Sequence, residues 1–432
     1  MSIAVNAKPD ESPISIYRYP GFLPFIAARL MSVCALQIQA VVVAWQVYDM
    51  TRDPLSLAFV GLAQFIPMLL LLLPAGDLLD RYDRKLILAL SWLVEGACSA
   101  ALLILSLQST PSIEVIYAVL AVFGCARAFT GPAQSSLLPQ VVPRERLAAA
   151  IAANSMLVRG ATITGPLLGG ALYAWGGGVL TYGLCMLGFA LGFVLLAWVP
   201  VRPAEAPAGP VSTSPWIRFT AGIEFIRSRP IVLGSISLDL FAVLLGGVVA
   251  LLPIYAQEIL NVGPTGLGAL RSAMAIGEVG MGLYLSLYPF NKNVGRVLFA
   301  SVAVFGVANL VFSLSTLFWV SWFALLVAGA ADMVSMYIRS SLVQFSTPDD
   351  MRGRVNAVNM LFIGSSNELG EFRAGSSAAL VGVVPAAVLG SLCTLGVVGV
   401  WMRHFVDLRE VKRFEEATTV REEPIATQGK LA

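Results

Sequence analysis

Apolar residues fill this chain in twelve stretches, each about 20 residues long, the length a helix needs to cross a ~30 Å hydrocarbon layer. They cover 22–48, 55–75, 86–107, 113–138, 147–173, 178–199, 231–256, 265–289, 297–314, 317–342, 355–379 and 382–402. The polar connections between them alternate in charge. One set carries Arg81, Arg84 and Lys85; Arg144 and Arg146; Arg202, Arg218, Arg227 and Arg229; Lys292 and Arg296; Arg352 and Arg354. The other set carries Arg52 and almost no other basic residue. Because basic loops stay on the cytoplasmic side of a bilayer, the first set and both termini are expected there. The pattern predicts an all-α polytopic membrane protein with 12 transmembrane helices.

A shift of 205 residues lays the chain on itself: Gly124 meets Gly329, Pro143 meets Pro348, Asn154 meets Asn359, Gly165 meets Gly370 and Gly170 meets Gly375. Such a repeat predicts two pseudo-symmetric six-helix bundles with a cargo site between them near mid-membrane. The expected units are an N-terminal bundle (1–199), a linker (200–229), a C-terminal bundle (230–402) and a tail (403–432). The linker is rich in Pro, Ala, Gly and Ser, then places Trp216, Phe219, Ile223 and Ile226 at helical spacing, as an interfacial helix would. The tail is polar and mixed in charge, and is expected to be mobile.

Composition narrows the function. The chain is 57% hydrophobic and 12% charged, with a mean hydropathy of +0.79. Its net charge of +2 gives no footprint for nucleic acid. Five cysteines within apolar runs and a single histidine, His404, leave no metal-ligand spacing and no histidine proton relay. No phosphate-binding Gly-rich loop ending in Lys-Ser/Thr and no Gly-x-Ser-x-Gly turn is present, so neither ATP use nor a serine nucleophile is expected. No cofactor is expected, and the chain is read as a non-enzyme. Its expected partners are small-molecule cargo, protons and the lipid bilayer, and it is expected to be monomeric.

Charges inside the spans are the candidates for chemistry, because each costs at least ~2.5–3.5 kcal/mol to insert unless it faces a cavity or a partner. Arg127, Arg159, Glu95, Glu278, Asp332 and Glu368 fall near mid-depth; Arg29 and Asp239 lie nearer the basic loops; Glu371 and Arg373 lie further out. Arg127 and Asp332 are repeat mates. Two readings stand: ion pairs that lock the halves together, or arginines that attract cargo beside carboxylates that exchange protons. Under the second, Asp239, Glu368, Glu371 and Asp332 carry protons. Arg29, Gln37, Arg127, Arg159, Glu278 and Arg373 then line the cargo cavity.

Several motifs resemble the major facilitator superfamily. The stretch 76–85 matches its loop between helices 2 and 3 at Gly76, Asp80, Arg81, Asp83, Arg84 and Lys85. The resemblance implies a cytoplasmic gate, with Asp80 at a helix N-terminus pairing with arginines across the halves. The second-half counterpart, 291–296, keeps Gly295-Arg296 and lacks Asp-Arg. Span 5 carries Gly160, Gly165-Pro166 and Gly169-Gly170, similar to an antiporter motif whose bend seals the outer side of the cavity. Trp45-Gln46-Val47-Tyr48, Asp239-Leu240-Phe241, Met351-Arg352-Gly353-Arg354 and Asn367-Glu368-Leu369-Gly370-Glu371-Phe372 resemble the branch that holds the enterobactin exporter and its relatives. That likeness implies proton-driven antiport of a siderophore or similar anionic, aromatic molecule across a bacterial inner membrane. A broad-specificity drug exporter, a lipid transporter of the same branch, and a non-transporting sensor or scaffold are the alternatives.

Overall fold

In the computed structural model, residues 16, 19–201, 215–348 and 351–418 are described. The first six spans are α1 (Phe22–Thr51), α2 (Pro54–Arg81), α3 (Arg84–Ser106), α4 (Ile113–Val141) and α5 (Leu147–Ala197), which crosses twice. Gly177 folds α5 back at φ 62 and ψ −164, a conformation open only to glycine, so two spans meet with almost no loop. Helix α6 (Pro215–Ser228) follows, and α7 (Pro230–Gly246) ends at the Gly246-Gly247 pair. The seventh span then continues through irregular turns: a 3₁₀ turn, the single turn α8 (Leu252–Ile254) and a π turn at Tyr255–Ile259. The remaining spans are α9 (Gly263–Leu287), α10 (Val294–Leu314), α11 (Phe318–Ser346), α12 (Arg352–Val381) and α13 (Val383–His404). Among the described residues nine helical segments are long and apolar enough to cross a bilayer, α5 being long enough to do so twice. Two further long helices, α9 and α12, each carry several intramembrane charges and complete twelve spans.

The spans form two six-helix bundles. The repeat mates Gly124 and Gly329 make the same contact in each. A Cβ on Gly124 would collide with the Gln64 carbonyl of α2, and one on Gly329 would collide with the Met274 carbonyl of α9. Only glycine admits backbone that close, so both bundles seat their fourth span on the second by one device.

Two expectations change in detail. The stretch 76–85 is not all loop: α2 runs on to Arg81, because Leu78 and Leu79 continue the helix, and only Tyr82 and Asp83 separate it from α3. Asp80 therefore sits in the last turn of α2, and its side chain lies outside the described residues. Asp83 is the residue that caps α3, accepting from Lys85 N at 2.8 Å. Of the linker, 202–214 lies outside the described residues. Within α6, Gly222 packs on the Arg354 backbone of α12, and Ile226 is buried with Val355 and Val358.

The tail departs most from expectation. Residues 419–432 lie outside the described residues, but 403–418 fold back through α14 (Val406–Glu410) and a 3₁₀ turn (Phe414–Thr418) onto the C-terminal bundle. Leu408, Val411 and Phe414 are buried there. Gly295 N donates to Val411 O at 3.0 Å and Val294 N to Lys412 O at 3.4 Å, so the tail satisfies amides at the start of α10. The Asn291 side-chain amide donates to both Glu415 carboxylate oxygens, at 2.9 and 3.1 Å. Polar composition hid three apolar anchors at 408, 411 and 414.

These bonds hold the Glu415 carboxyl below its ordinary range. Its contribution to docking is therefore complete above the ordinary carboxylate range, and is lost as pH falls through the lowered value. Phe414→Ala, removing a buried aromatic at a cost of about 3 kcal/mol, should expose Arg409, Lys412 and Arg413 to trypsin far faster than in the parent. Asn291→Ala should weaken docking at neutral pH and reduce its acid dependence.

Candidate functional site

The two bundles meet through α2 with α12 and through α5 with α9. At the end away from the arginine-rich connections these pairs are in backbone contact. A Cβ on Gly170 of α5 would collide with the Pro264 carbonyl of α9, and one on Gly268 of α9 would collide with the Pro166 carbonyl of α5. Ser272 Oγ of α9 donates to Ile163 O of α5 at 2.7 Å. Across the molecule, Gly375 of α12 lies on Pro54 and Ala58 of α2, each 2.8 Å from where its Cβ would be. Side chains complete the closure: Gln257 Nε2 donates to Asp49 Oδ1 at 2.7 Å, and the Tyr48 hydroxyl donates to Glu258. At the arginine-rich end the bundles part. An apolar cleft of about 510 Å³ lies between α2 and α12, lined by Phe65, Met68, Leu72, Phe219, Met360 and Leu361.

Glycines 165, 169 and 170 thus serve close packing, Gly165 and Gly169 against Gln37 and Ile38 of α1 and Gly170 across the halves. Gln37 is where a Gly165 side chain would be, which places it in the wall between α1 and α5. Gly160 has open space around it. Pro166 lies inside α5, and its carbonyl receives Gly268.

The intramembrane charges gather in three groups. Glu368 and Glu371 of α12 converge on Gly61 of α2: a Cβ there would stand 3.4 Å from Glu368 Oε2 and 3.8 Å from Glu371 Oε2. Arg127 of the other half interacts electrostatically with both, and Arg271 of α9 with Glu371. Arg127 also reaches Gln64 Oε1 at 3.5 Å. In the second group Arg159 of α5 and Glu278 of α9 form an ion pair across the halves at 3.8 Å. The third group lies within the C-terminal bundle. Arg339 Nη1 is 2.5 Å from Asp239 Oδ2, both side chains only 8% exposed, and Asp332 interacts with both. Arg127 and its repeat mate Asp332 therefore belong to different groups.

Other candidates stand elsewhere. The Arg373 guanidinium donates to Leu244 O at 3.0 Å and Gly247 O at 3.2 Å, filling acceptors freed where α7 ends, rather than standing in the cargo cavity. Arg29 has a buried Nε without a partner among the described residues. In the gate stretch, Arg84 donates to Ser136 O at 3.3 Å and Lys85 to Ala197 O and Val199 O at 3.0 and 2.8 Å, all within the N-terminal bundle. Arg81 pairs with Asp77 at 3.0 Å on the surface, and Gly76 has no close neighbour among the described residues. Sequence reading missed Arg271, Arg339, Gly61 and the Tyr48–Glu258 and Asp49–Gln257 contacts. Arg271 and Arg339 were visible as charges inside apolar spans, and Asp49 and Gln257 stand 208 residues apart, close to the repeat offset.

Two six-helix bundles in backbone contact at one end, with a cleft between them at the other and buried charges at their interface, have the architecture of a secondary transporter. The chain belongs to the family described as transmembrane secretion effector, a branch of the major facilitator superfamily, whose family model matches residues 11–429. It is similar to the enterobactin exporter EntS of Salmonella choleraesuis, 26% identical over 406 residues covering 93% of this chain and 95% of that protein. It is likewise similar to EntS of Citrobacter koseri, 26% identical over 409 residues with the same coverage. Among solved structures, a bacterial homologue of the iron transporter ferroportin in an inward-facing state superposes with a TM-score of 0.68 at 18% identity. That match covers 90% of this chain and 98% of that one. A point mutant of the peptide transporter POT, in complex with sulfate, gives 0.69 at 12% identity, covering 93% and 99%. Those structures share the fold. The relatives are transporters and not enzymes, and this chain is a multi-pass inner-membrane protein.

Closure of the sealed end depends on Gly170 and Gly268. Overpacking there costs about 1–3 kcal/mol, so Gly170→Leu should lower cross-linking between Asp49→Cys and Gln257→Cys by about 5- to 150-fold. Gly160→Leu, pointing into open space, should leave the cross-link in place.

Proposed function

We propose that this protein exports a small anionic or aromatic molecule of the siderophore type, in exchange for protons, by alternating access as a monomer. In this reading the arginine-rich end and both termini face the cytoplasm, so the parted bundles admit cargo from the inside. The observation that carries it is the convergence of Glu368 and Glu371 on Gly61, with Arg127 of the opposite bundle beside them. A carboxylate pair at the moving interface can couple proton binding to the motion. While ionised it attracts Arg127 and Arg271, and a proton weakens that attraction, so its protonation state biases how the two bundles sit. The Arg159–Glu278 pair offers a second contact of the same kind. Similarity to the enterobactin exporters over nearly the whole chain supports the direction and the class of cargo.

Asp239 has a different place in this scheme. Its bond to Arg339 is buried inside one bundle, so it holds that bundle together, with Asp332 beside it.

A drug or lipid exporter is the second reading, favoured by the apolar cleft between α2 and α12. The two differ in what Arg127 contributes.

Glu368→Gln should abolish pH-gradient-driven transport in proteoliposomes and leave cargo counterflow, which needs no proton, intact; gradient-driven transport that survives would remove Glu368 from the coupling. Asp239→Asn removes the direct ion pair of Arg339 and leaves it only Asp332, and should lower stability by up to about 3–5 kcal/mol, seen as a fall in the thermal unfolding midpoint. Arg127→Gln should raise the KM for an anionic cargo by about tenfold, the loss of one charge-assisted hydrogen bond, and change a neutral one little. Equal losses would favour a structural ion pair.

A further inference from the structure

The apolar cleft between α2 and α12 passes through the seam between the bundles. On α2 its wall includes both Met68 and Leu69, adjacent residues that point about 100° apart on a helix. Met68 and Leu72 also line a cavity of about 330 Å³ within the N-terminal bundle, on whose wall Arg127 stands. Leu69 points to the other side of α2, which it shares with Ile66, three residues back. Ile66, Leu69 and Leu70 are all exposed, and an exposed apolar side of a span is one that lipid tails can cover. The cleft therefore meets arginine on one side and lipid on the other. None of the residues lining it is ionisable, and Ser365 is the one polar side chain among them.

Its two ends are defined as well. Toward the sealed end Phe59 of α2 and Phe372 of α12 close ring to ring, with centroids 6.1 Å apart. Gly364 and Ser365 lie one turn from Glu368, and Phe65 lies one turn from Gly61, so the cleft stops at the carboxylate pair. Toward the arginine-rich end α6 forms a sill. Phe219 lines the cleft, while a Cβ on Gly222 would stand 2.8 Å from Arg354 O, so α6 is carried on α12. A free anion would find no counter-charge along this wall. A saturated lipid tail would fill the wall and leave the polar space beside Arg127 and Gln64 unused. A flat ring with one polar group suits both, the ring against Phe65, Met68 and Phe219 and the polar group toward Arg127.

We propose that the cleft is a lateral portal, through which an uncharged aromatic amphiphile dissolved in the adjoining bilayer leaflet reaches the space beside Arg127. Phe219 contributes one wall of that portal. The portal deepens, and rests on, the reading of this protein as an exporter of aromatic molecules.

The test uses the full chain in nanodiscs, with the exposed cysteine Cys393 changed to Ala. A bimane label on Gly364→Cys stands in the cleft, where that glycine has no close neighbour among the described residues. A label on Gly399→Cys of α13, equally open and outside the cleft, is the control, and the chain with neither substitution gives the background. Phosphatidylcholine brominated on its tails should quench the Gly364 label. N-phenyl-1-naphthylamine, an uncharged aromatic amphiphile, should relieve that quenching and leave the Gly399 label unchanged. Phe219→Ala should raise the concentration needed for relief by about 2- to 12-fold, the loss of one ring contact. Quenching by aqueous iodide alone would overturn the proposal, because the cleft is then open to water and closed to lipid. So would tail quenching that the probe never relieves, which marks a resident lipid chain, or relief that Phe219→Ala leaves unchanged. Transport is read separately in inverted vesicles: relief without export of the probe keeps the portal and removes the export reading.

Discussion

Charge inside a hydrocarbon layer has to find a partner, and in this protein the partners are divided between two rigid bodies. That division makes the buried charges more than a stability problem. Asp239 and Arg339 share one bundle, so their bond is indifferent to how the bundles sit. Arg159 and Glu278 do not, and neither do Arg127 and the carboxylates of α12. Any rotation between the bundles changes those distances, and any change in their protonation or their ligands changes which rotation is favoured. Buried salt bridges are weak evidence for stability; one that crosses between two bundles also depends on how those bundles sit.

The glycine crossings are the complementary constraint. Gly170, Gly268 and Gly375 let backbone meet backbone at one end of the molecule, where side chains would hold the bundles apart. The carboxylates sit beside one such crossing, on the glycine side of α2, because Gly61 leaves the room they occupy. Removing side chains at a few positions thus creates both the seal and the site.

The twelve spans, the break between 173 and 178 and the twofold repeat were all legible, because hydropathy and charge alternation answer directly to the bilayer. The glycines of span 5 were also visible, although their individual contacts were not: Gly160 and Gly170 look alike in sequence, yet one faces space and the other a carbonyl. Charges were legible as charges and illegible as pairs. Counting depth along a span cannot say which way a residue faces, so Arg373 read as a cavity residue while its guanidinium fills the broken end of α7. Gly61 carried no signal at all, since its meaning lies in two glutamates more than three hundred residues away. The tail was misread because three buried apolar residues are diluted among charged neighbours.

The loops at the arginine-rich end are each moored to their own bundle, the first through Arg84 and Lys85 and the second through the folded-back tail. A swing of the bundles about the seal at the far end would have that seal as its fulcrum and each bundle as an arm. With α2 having 28 residues and a rise of about 1.5 Å per residue, each arm is roughly 40 Å long. A tilt of about 10° moves its tip by about 7 Å, which is the width of an aromatic ring. Such leverage would magnify a small shift at the glycine contacts into a wide one at the opposite face.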